Sequence, residues 1–161
     1  MILVAPDGRT KLHEIVFPKQ RVDLSYGLAG AGGANDLSRA ELAYLRWPTP
    51  RAMNSGGLKG LVQPVHLSEA HGFFEQPFRV SMETTTGSTV IRYTLDGSEP
   101  EAMSGLEYIE PFIVDGTTTL RARAFRDGYE PSGVTTQTYL FLKDVAKQSS
   151  RGEPPPGWPA G

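Results

Sequence analysis

Three histidines, His13, His66 and His71, and a run of carboxylates, Asp96, Glu99, Glu101, Glu107 and Glu110, are the side chains best suited by type and spacing to do chemistry. A zinc site needs three or four converging ligands, and here His66 and His71 flank only Glu69. Three separate histidines on loops or strands therefore read as surface residues; a small metal-dependent enzyme would require all three to converge. Two carboxylates held at a fixed separation cleave a glycosidic bond, but Asp96 to Glu110 fall on turn-like sequence, where a pair is poorly preorganised. They read as a solvated acidic rim. Loose calcium binding by Asp96 and Glu99 lacks the spacing of a calcium loop. Ser68 beside His71 has no G-x-S-x-G elbow around it. The stretch Gly27–Gly33 fits neither dinucleotide nor phosphate-loop spacing and reads as a flexible loop. The residues predict no catalytic residue, no metal site and no cofactor.

The sharper functional idea is aromatic. Sugar rings lay their apolar faces on exposed aromatic rings while polar side chains orient the hydroxyls. Phe73, Phe74, Tyr108 and Tyr129 are the available rings, with Trp47 further upstream. Phe74, Tyr108 and Tyr129 are the residues expected to bind a carbohydrate in this way, and the competing reading makes them core or turn anchors.

The elements that must position these residues are short strands. Phe78, Val80 and Met82 alternate with Arg79, Ser81 and Glu83, the period-two pattern of a half-buried strand. Ile91, Tyr93 and Leu95 share one side of a strand over 90–95. Leu120, Ala122 and Ala124 point inward from 118–125, with Arg121 and Arg123 outward. Further strands are expected over 62–67, 108–114 and 134–141, the 108–114 strand pushed towards an edge by Pro111. Phe73–Pro77 reads as an aromatic turn, and Asp96-Gly97, Asp115-Gly116 and Asp127-Gly128 as sharp turns, the first of the hairpin type. Short strands at such intervals mark a β-sandwich. Upstream, strands are expected over 2–5, 12–17 and 21–27, with Val22, Leu24 and Tyr26 on one face. Ser38 to Leu45 reads as a helical turn, with Ser38 as N-cap and Glu41 in the capping-box position. Asn54-Ser55-Gly56-Gly57 reads as a linker.

Composition agrees with many turns and few helices. The 161 residues include 18 Gly and 13 Pro, both turn punctuators. Net charge is -2 and the pI about 5.9, so nothing attracts nucleic acid or an anionic membrane. With no cysteine, a disulfide framework and thiolate metal sites are excluded. No apolar run approaches the ~20 residues of a membrane helix. The start, Met1 to Gly8, lacks the basic and apolar regions of a signal peptide, and reads as an internal start of a fragment.

The run Ile91-Arg92-Tyr93-Thr94-Leu95-Asp96-Gly97-Ser98-Glu99-Pro100 is similar to the signature of the chitobiase/β-hexosaminidase C-terminal domain. Tyr108 to Phe112, Thr118 to Ala124, and Asp127-Gly128-Tyr129 with Ser132 resemble three further segments of that family, in order. The resemblance spans residues 64–141 and implies an immunoglobulin-like or fibronectin-III-like sandwich. In the family's hexosaminidases the catalytic pair lies in a separate barrel. Asp7-Gly8-Arg9, Ile15-Val16-Phe17, Val22 to Gly27 and Trp47 to Asn54 resemble the end of a lamin-tail domain, with Leu28 where arginine is usual and Arg51 where glycine is usual. This pairing resembles large exported bacterial proteins in which a spore-coat-H-like kinase region can follow.

The expected fold is thus all-β: a partial lamin-tail-like segment over 1–57, a complete immunoglobulin/fibronectin-III-like β-sandwich over 58–142, and a disordered Pro-rich linker over 143–161. The expected role is a non-catalytic spacer or interaction module, carbohydrate-associated, of a larger secreted bacterial protein, outside the cell or on its surface. Its expected partners are neighbouring domains of that parent and a polysaccharide, with no nucleic acid and no membrane span. The alternative is a detached accessory piece of a glycoside hydrolase or exported kinase whose catalytic domain lies outside this chain.

Overall fold

Backbone pairing divides the chain into two units, Met1–Gly60 and Leu61–Gly161. The computed structural model describes residues 1–30, 41–47, 49–54, 56–146 and 151, without the side chain of His13. In the first unit, strand β1 (Ile2–Val4) pairs antiparallel with β2 (Lys11–Glu14). The turn between them is built by Asp7, whose carboxylate accepts the N–H groups of Arg9 and Thr10, each at 2.9 Å, and the Thr10 hydroxyl at 2.5 Å. These donors, the Thr10 hydroxyl foremost, hold the Asp7 carboxyl down at about 2. Strand β3 (Ser25–Ala29) pairs antiparallel with β4 (Glu41–Leu45).

Four expectations change here. Glu41–Leu45 is a strand, not a helical turn; Ser38, its expected cap, lies outside the described residues. Tyr44 exchanges backbone hydrogen bonds with Leu58 at 3.0 and 2.8 Å, so β4 is paired on both sides and tertiary pairing overrides a local capping signal. Gly27–Ala29, expected in a flexible loop, belongs to β3, while 31–33 lie outside the described residues. The strand expected over 21–27 begins only at Ser25, because Asp23 takes φ 64° and breaks the extended run, leaving Val22 exposed. The stretch read as a linker is likewise held: the Asn54 amide donates to Leu28 at 2.8 Å, and Gly57 sits so close to Ala43 and Ala29 that an added Cβ would collide with both. Ser55 lies outside the described residues. Ala43, Tyr44 and Leu45 are buried, but Ile2, Leu3, Val4, Leu12, Val16 and Val22 are exposed. Edge-on rings of Phe17, Tyr26 and Tyr44 and a 2.7 Å hydrogen bond from the Tyr44 hydroxyl to the Lys19 carbonyl complete this small interior.

The second unit contains β5 (His66–Leu67), β6 (Gly72–Phe74), β7 (Phe78–Val80), β8 (Met82–Glu83), β9 (Val90–Thr94), β10 (Leu106–Glu107), β11 (Phe112–Val114), β12 (Thr118–Phe125) and β13 (Thr135–Phe141). One layer is a five-stranded sheet ordered β10-β9-β12-β13-β6. The antiparallel pairs β7–β11 and β5–β8 supply residues from the other side. Between them lies a core of Val62, Val65, Val80, Met82, Ile91, Val114, Leu120, Ala122, Ala124, Tyr139 and Phe141. Both layers contribute, so the all-β, immunoglobulin/fibronectin-III-like sandwich is the observed architecture. Alternation explains β12: Leu120, Ala122 and Ala124 are fully buried, and the arginines between them stay partly exposed.

Within the sandwich the strand boundaries shift for identifiable reasons. Gly72–Phe74 is not part of an aromatic turn but β6, the only parallel partner in the sheet, lying along β13 from Tyr139 to Phe141. The strand expected over 108–114 shortens to β11, which joins β7 in the other layer, while β10, just before that range, joins β9. Pro111, with no N–H to give, lies in the crossing. The strand expected over 62–67 shortens to His66–Leu67, with Pro64 before it, although Val62 and Val65 are buried. Residues 143–146, expected in the linker, are tied back. Helical turn α1 (Leu142–Val145) brings the Asp144 carboxylate 2.8 Å from the Thr117 N–H, and Lys143 Nζ donates to the Asp115 carbonyl at 2.7 Å. Residues 147–150 and 152–161 of that stretch lie outside the described residues.

Candidate functional site

The turn after β9 shapes an open hollow on the surface of the sandwich. Asp96-Gly97 was expected to make a tight hairpin, but only Gly97 has positive φ, at 82°, and the chain returns to pair with β9 only at Leu106. A tight hairpin of that type needs two such residues. The intervening loop instead folds over itself. The Thr94 hydroxyl donates to the Ser98 carbonyl at 2.6 Å. Asp96 Oδ1 accepts the Ser98 hydroxyl at 2.6 Å and the Ser98 N–H at 3.0 Å; these two bonds, hydroxyl first, lower the Asp96 pKa below its usual value. Arg121 donates to the Gly97 carbonyl at 3.0 Å.

The opposite wall is equally fixed. Gly105 takes φ 86°, and a Cβ there would lie 2.9 Å from the Tyr93 carbonyl oxygen. Tyr93 stacks on Phe112 with ring centroids 4.9 Å apart, and burial raises its hydroxyl pKa. Between the walls is an open hollow of about 630 Å³ lined by Tyr93, Thr94, Leu95, Asp96, Ser98, Ser104, Gly105 and Leu106. Leu95, expected on the same side of the strand as Ile91 and Tyr93, lies just past its end and is exposed, while Thr94 is buried.

The neighbouring carboxylates are engaged with arginines. Glu99 receives Arg123 at 3.3 Å and Arg121 at 3.8 Å, and Glu107 lies 3.2 Å from Arg92. His71 Nδ1 is 3.0 Å from Gln137 Oε1, and its backbone N–H donates to the same oxygen at 2.8 Å. His66 is exposed on β5. His13 belongs to the other unit. Among the described residues no three His, Asp or Glu side chains gather as a metal site would require.

The structure does not bring the three expected stacking residues together. Phe74 is on β6, at one edge of the five-stranded sheet, and Tyr108 follows β10, at the other. Tyr129 lies in the turn after β12, its N–H donating to Arg126 at 3.1 Å. All three are half-buried against the core. Phe74 stacks on Phe78 at 4.2 Å and meets Tyr139 edge-on at 5.6 Å; the Arg126 guanidinium covers Tyr129 at 4.2 Å. Of the candidate rings, Phe73, 70% exposed, and Trp47, 76% exposed in the first unit, are open to solvent. Sequence reasoning weighed Asp96 as part of an acidic rim and as a loose calcium ligand, and saw Ser98 only within the family-like turn segment. Ser104 and Leu106 carried no signal, since only the path of the loop brings them opposite Asp96.

This loop and the strands around it fall inside a recognisable segment. Residues 69–136 match the family model of the chitobiase/beta-hexosaminidase C-terminal domain. The matched segment starts just before β6 and ends within β13, so it takes in the hollow, β7 to β12 and the Ser132 turn. That family is a non-catalytic accessory module of glycoside hydrolases. No match to the chain was found among curated proteins.

Proposed function

We propose that this chain is a non-catalytic accessory module of a larger secreted protein, working as a spacer or interaction unit in association with carbohydrate. The observation that carries the reading is the match over 69–136, which coincides with most of the sandwich. The engagement of Glu99 and Glu107 with arginines supports it: these carboxylates serve the surface of the sheet. The same match favours a glycoside hydrolase as the parent, with the catalytic pair elsewhere in that parent. Placement outside the cell follows the family's use in exported hydrolases; no helix among the described residues is long and apolar enough to cross a membrane. The likeness of 1–57 to a lamin-tail end, and a kinase-like neighbour, rest on the quoted sequence alone. Neighbouring domains of the parent and a polysaccharide are the partners of this reading.

Pull-down of the purified chain on chitin and cellulose, alongside an assay with a chromogenic N-acetylglucosaminide, tests the proposal. Saturable retention on at least one polymer without turnover is the expected result. Turnover that survives further purification, or no retention on any polymer, would overturn it.

A further inference from the structure

Phe74, Tyr108 and Tyr129 are half-buried against the core and sit apart, so they form no shared stacking platform. We infer that the hollow beyond β9 is a subsite for a single neutral pyranose unit, held by Asp96, Ser98 and Ser104 against Leu95 and Leu106. This rests on the carbohydrate reading above and assigns it a place.

The chemistry of the lining selects the ligand. Asp96 is exposed and its pKa is depressed, so at neutral pH it presents an acceptor-only carboxylate. The Ser98 hydroxyl, its proton given to Asp96, adds an acceptor, and Ser104 adds a hydroxyl that accepts and donates. The lining includes no lysine or arginine, which disfavours phosphate or another anion. It includes one carboxylate, too few for a calcium ion that takes 6–8 oxygen ligands. Beside these groups the lining carries apolar surface: Leu95 and Leu106, 40% and 55% exposed, together with Tyr93. A pyranose matches both kinds of lining group: its hydroxyls donate to a carboxylate, and its C–H face covers apolar carbon. The volume of about 630 Å³ is in the range of small-molecule sites, ~300–1,000 Å³.

The hollow is also pre-formed. The Thr94–Ser98 and Arg121–Gly97 hydrogen bonds and the close approach of Gly105 to Tyr93 fix its walls, so little ordering is left for binding to offset.

The test is an amide NMR titration of the whole 161-residue chain with N-acetylglucosamine, glucose, diacetylchitobiose and cellobiose. Asp96→Asn, Leu106→Ser and Phe73→Ala are compared. Asp96→Asn keeps the oxygen that accepts from Ser98, and unchanged spectra away from the loop verify folding. Saturable shifts confined to 93–98 and 104–106 are expected for at least one sugar. Affinity should fall about tenfold in Asp96→Asn, the loss of a charge-assisted hydrogen bond, fall severalfold in Leu106→Ser, and hold in Phe73→Ala. Shifts centred elsewhere, or binding lost in Phe73→Ala and kept in the hollow variants, would overturn the subsite while leaving the carbohydrate reading. Retention on a polymer with no response to any of the four sugars would also overturn the subsite alone. Failure of both experiments would overturn both.

Discussion

Ser132 shows what a single side chain contributes to this sandwich. It is fully buried; its hydroxyl accepts the Ala124 N–H at 2.9 Å and donates to the Gly133 carbonyl at 2.7 Å, while its own N–H donates to Ala124 at 3.0 Å. The β12–β13 ladder ends at Ala122, and Ser132 carries the pairing on to Ala124, two residues further. Ser132→Ala strands a buried N–H, and chemical denaturation should show a loss of about 1–3 kcal/mol. Tyr139 makes a pH-dependent contribution. It is fully buried, donates to the Glu69 carbonyl at 3.0 Å, and burial pushes its pKa from 10.0 to about 12. A folded-state pKa raised above the unfolded one stabilises the fold below pH 10 and is lost as pH rises towards 12. Tyr139→Phe should cost about 1 kcal/mol at neutral pH and flatten the alkaline decline measured by thermal melts between those limits. Tyr93, raised in the same direction, leaves part of that decline in place.

At the level of elements, β12 was legible and β4 and β6 were not, and the difference is where each strand's decision is made. Alternating Leu120, Ala122 and Ala124 with arginines between them carries its own burial pattern in the chain. Small residues there are needed: Ala122 is fully buried at the centre of β12, facing Tyr93 on β9 and Thr135 on β13 across the ladders. Ala122→Leu should overpack this layer and lower stability by about 1–3 kcal/mol, read from denaturant midpoints. Glu41–Leu45 has no alternation of its own. It becomes a strand because β3 and Leu58, both distant in sequence, take up its backbone groups. Gly72–Phe74 is shorter still and owes its existence to the far end of the chain. The half-burial of Phe74, Tyr108 and Tyr129 follows from such pairings, so their availability to a ligand was not legible from residue type. The Asp96-Gly97-Ser98 turn was legible as a turn; its hollow was not, because the second wall arrives with Gly105 and Leu106 after a loop whose path no local pattern encodes.

Across the whole molecule the two units differ in how much apolar surface they remove from water. The sandwich encloses a continuous core, whereas the first unit buries Ala43, Tyr44 and Leu45 and leaves most of its large aliphatic residues exposed. Amides in 1–57 should therefore exchange with deuterium faster than those in 64–141, because opening a thin interior costs less; uniform protection across both would contradict this. The parallel register of β6 and β13 has a mechanical side. Two strands running the same way at opposite ends of a folded unit are pulled in opposite directions when the chain is stretched. The rungs from Tyr139–Gly72 to Phe141–Phe74 then carry the load together, in shear, and do not unzip one after another. A module clamped in this way can transmit tension between whatever it joins and yield only when the whole clamp slips.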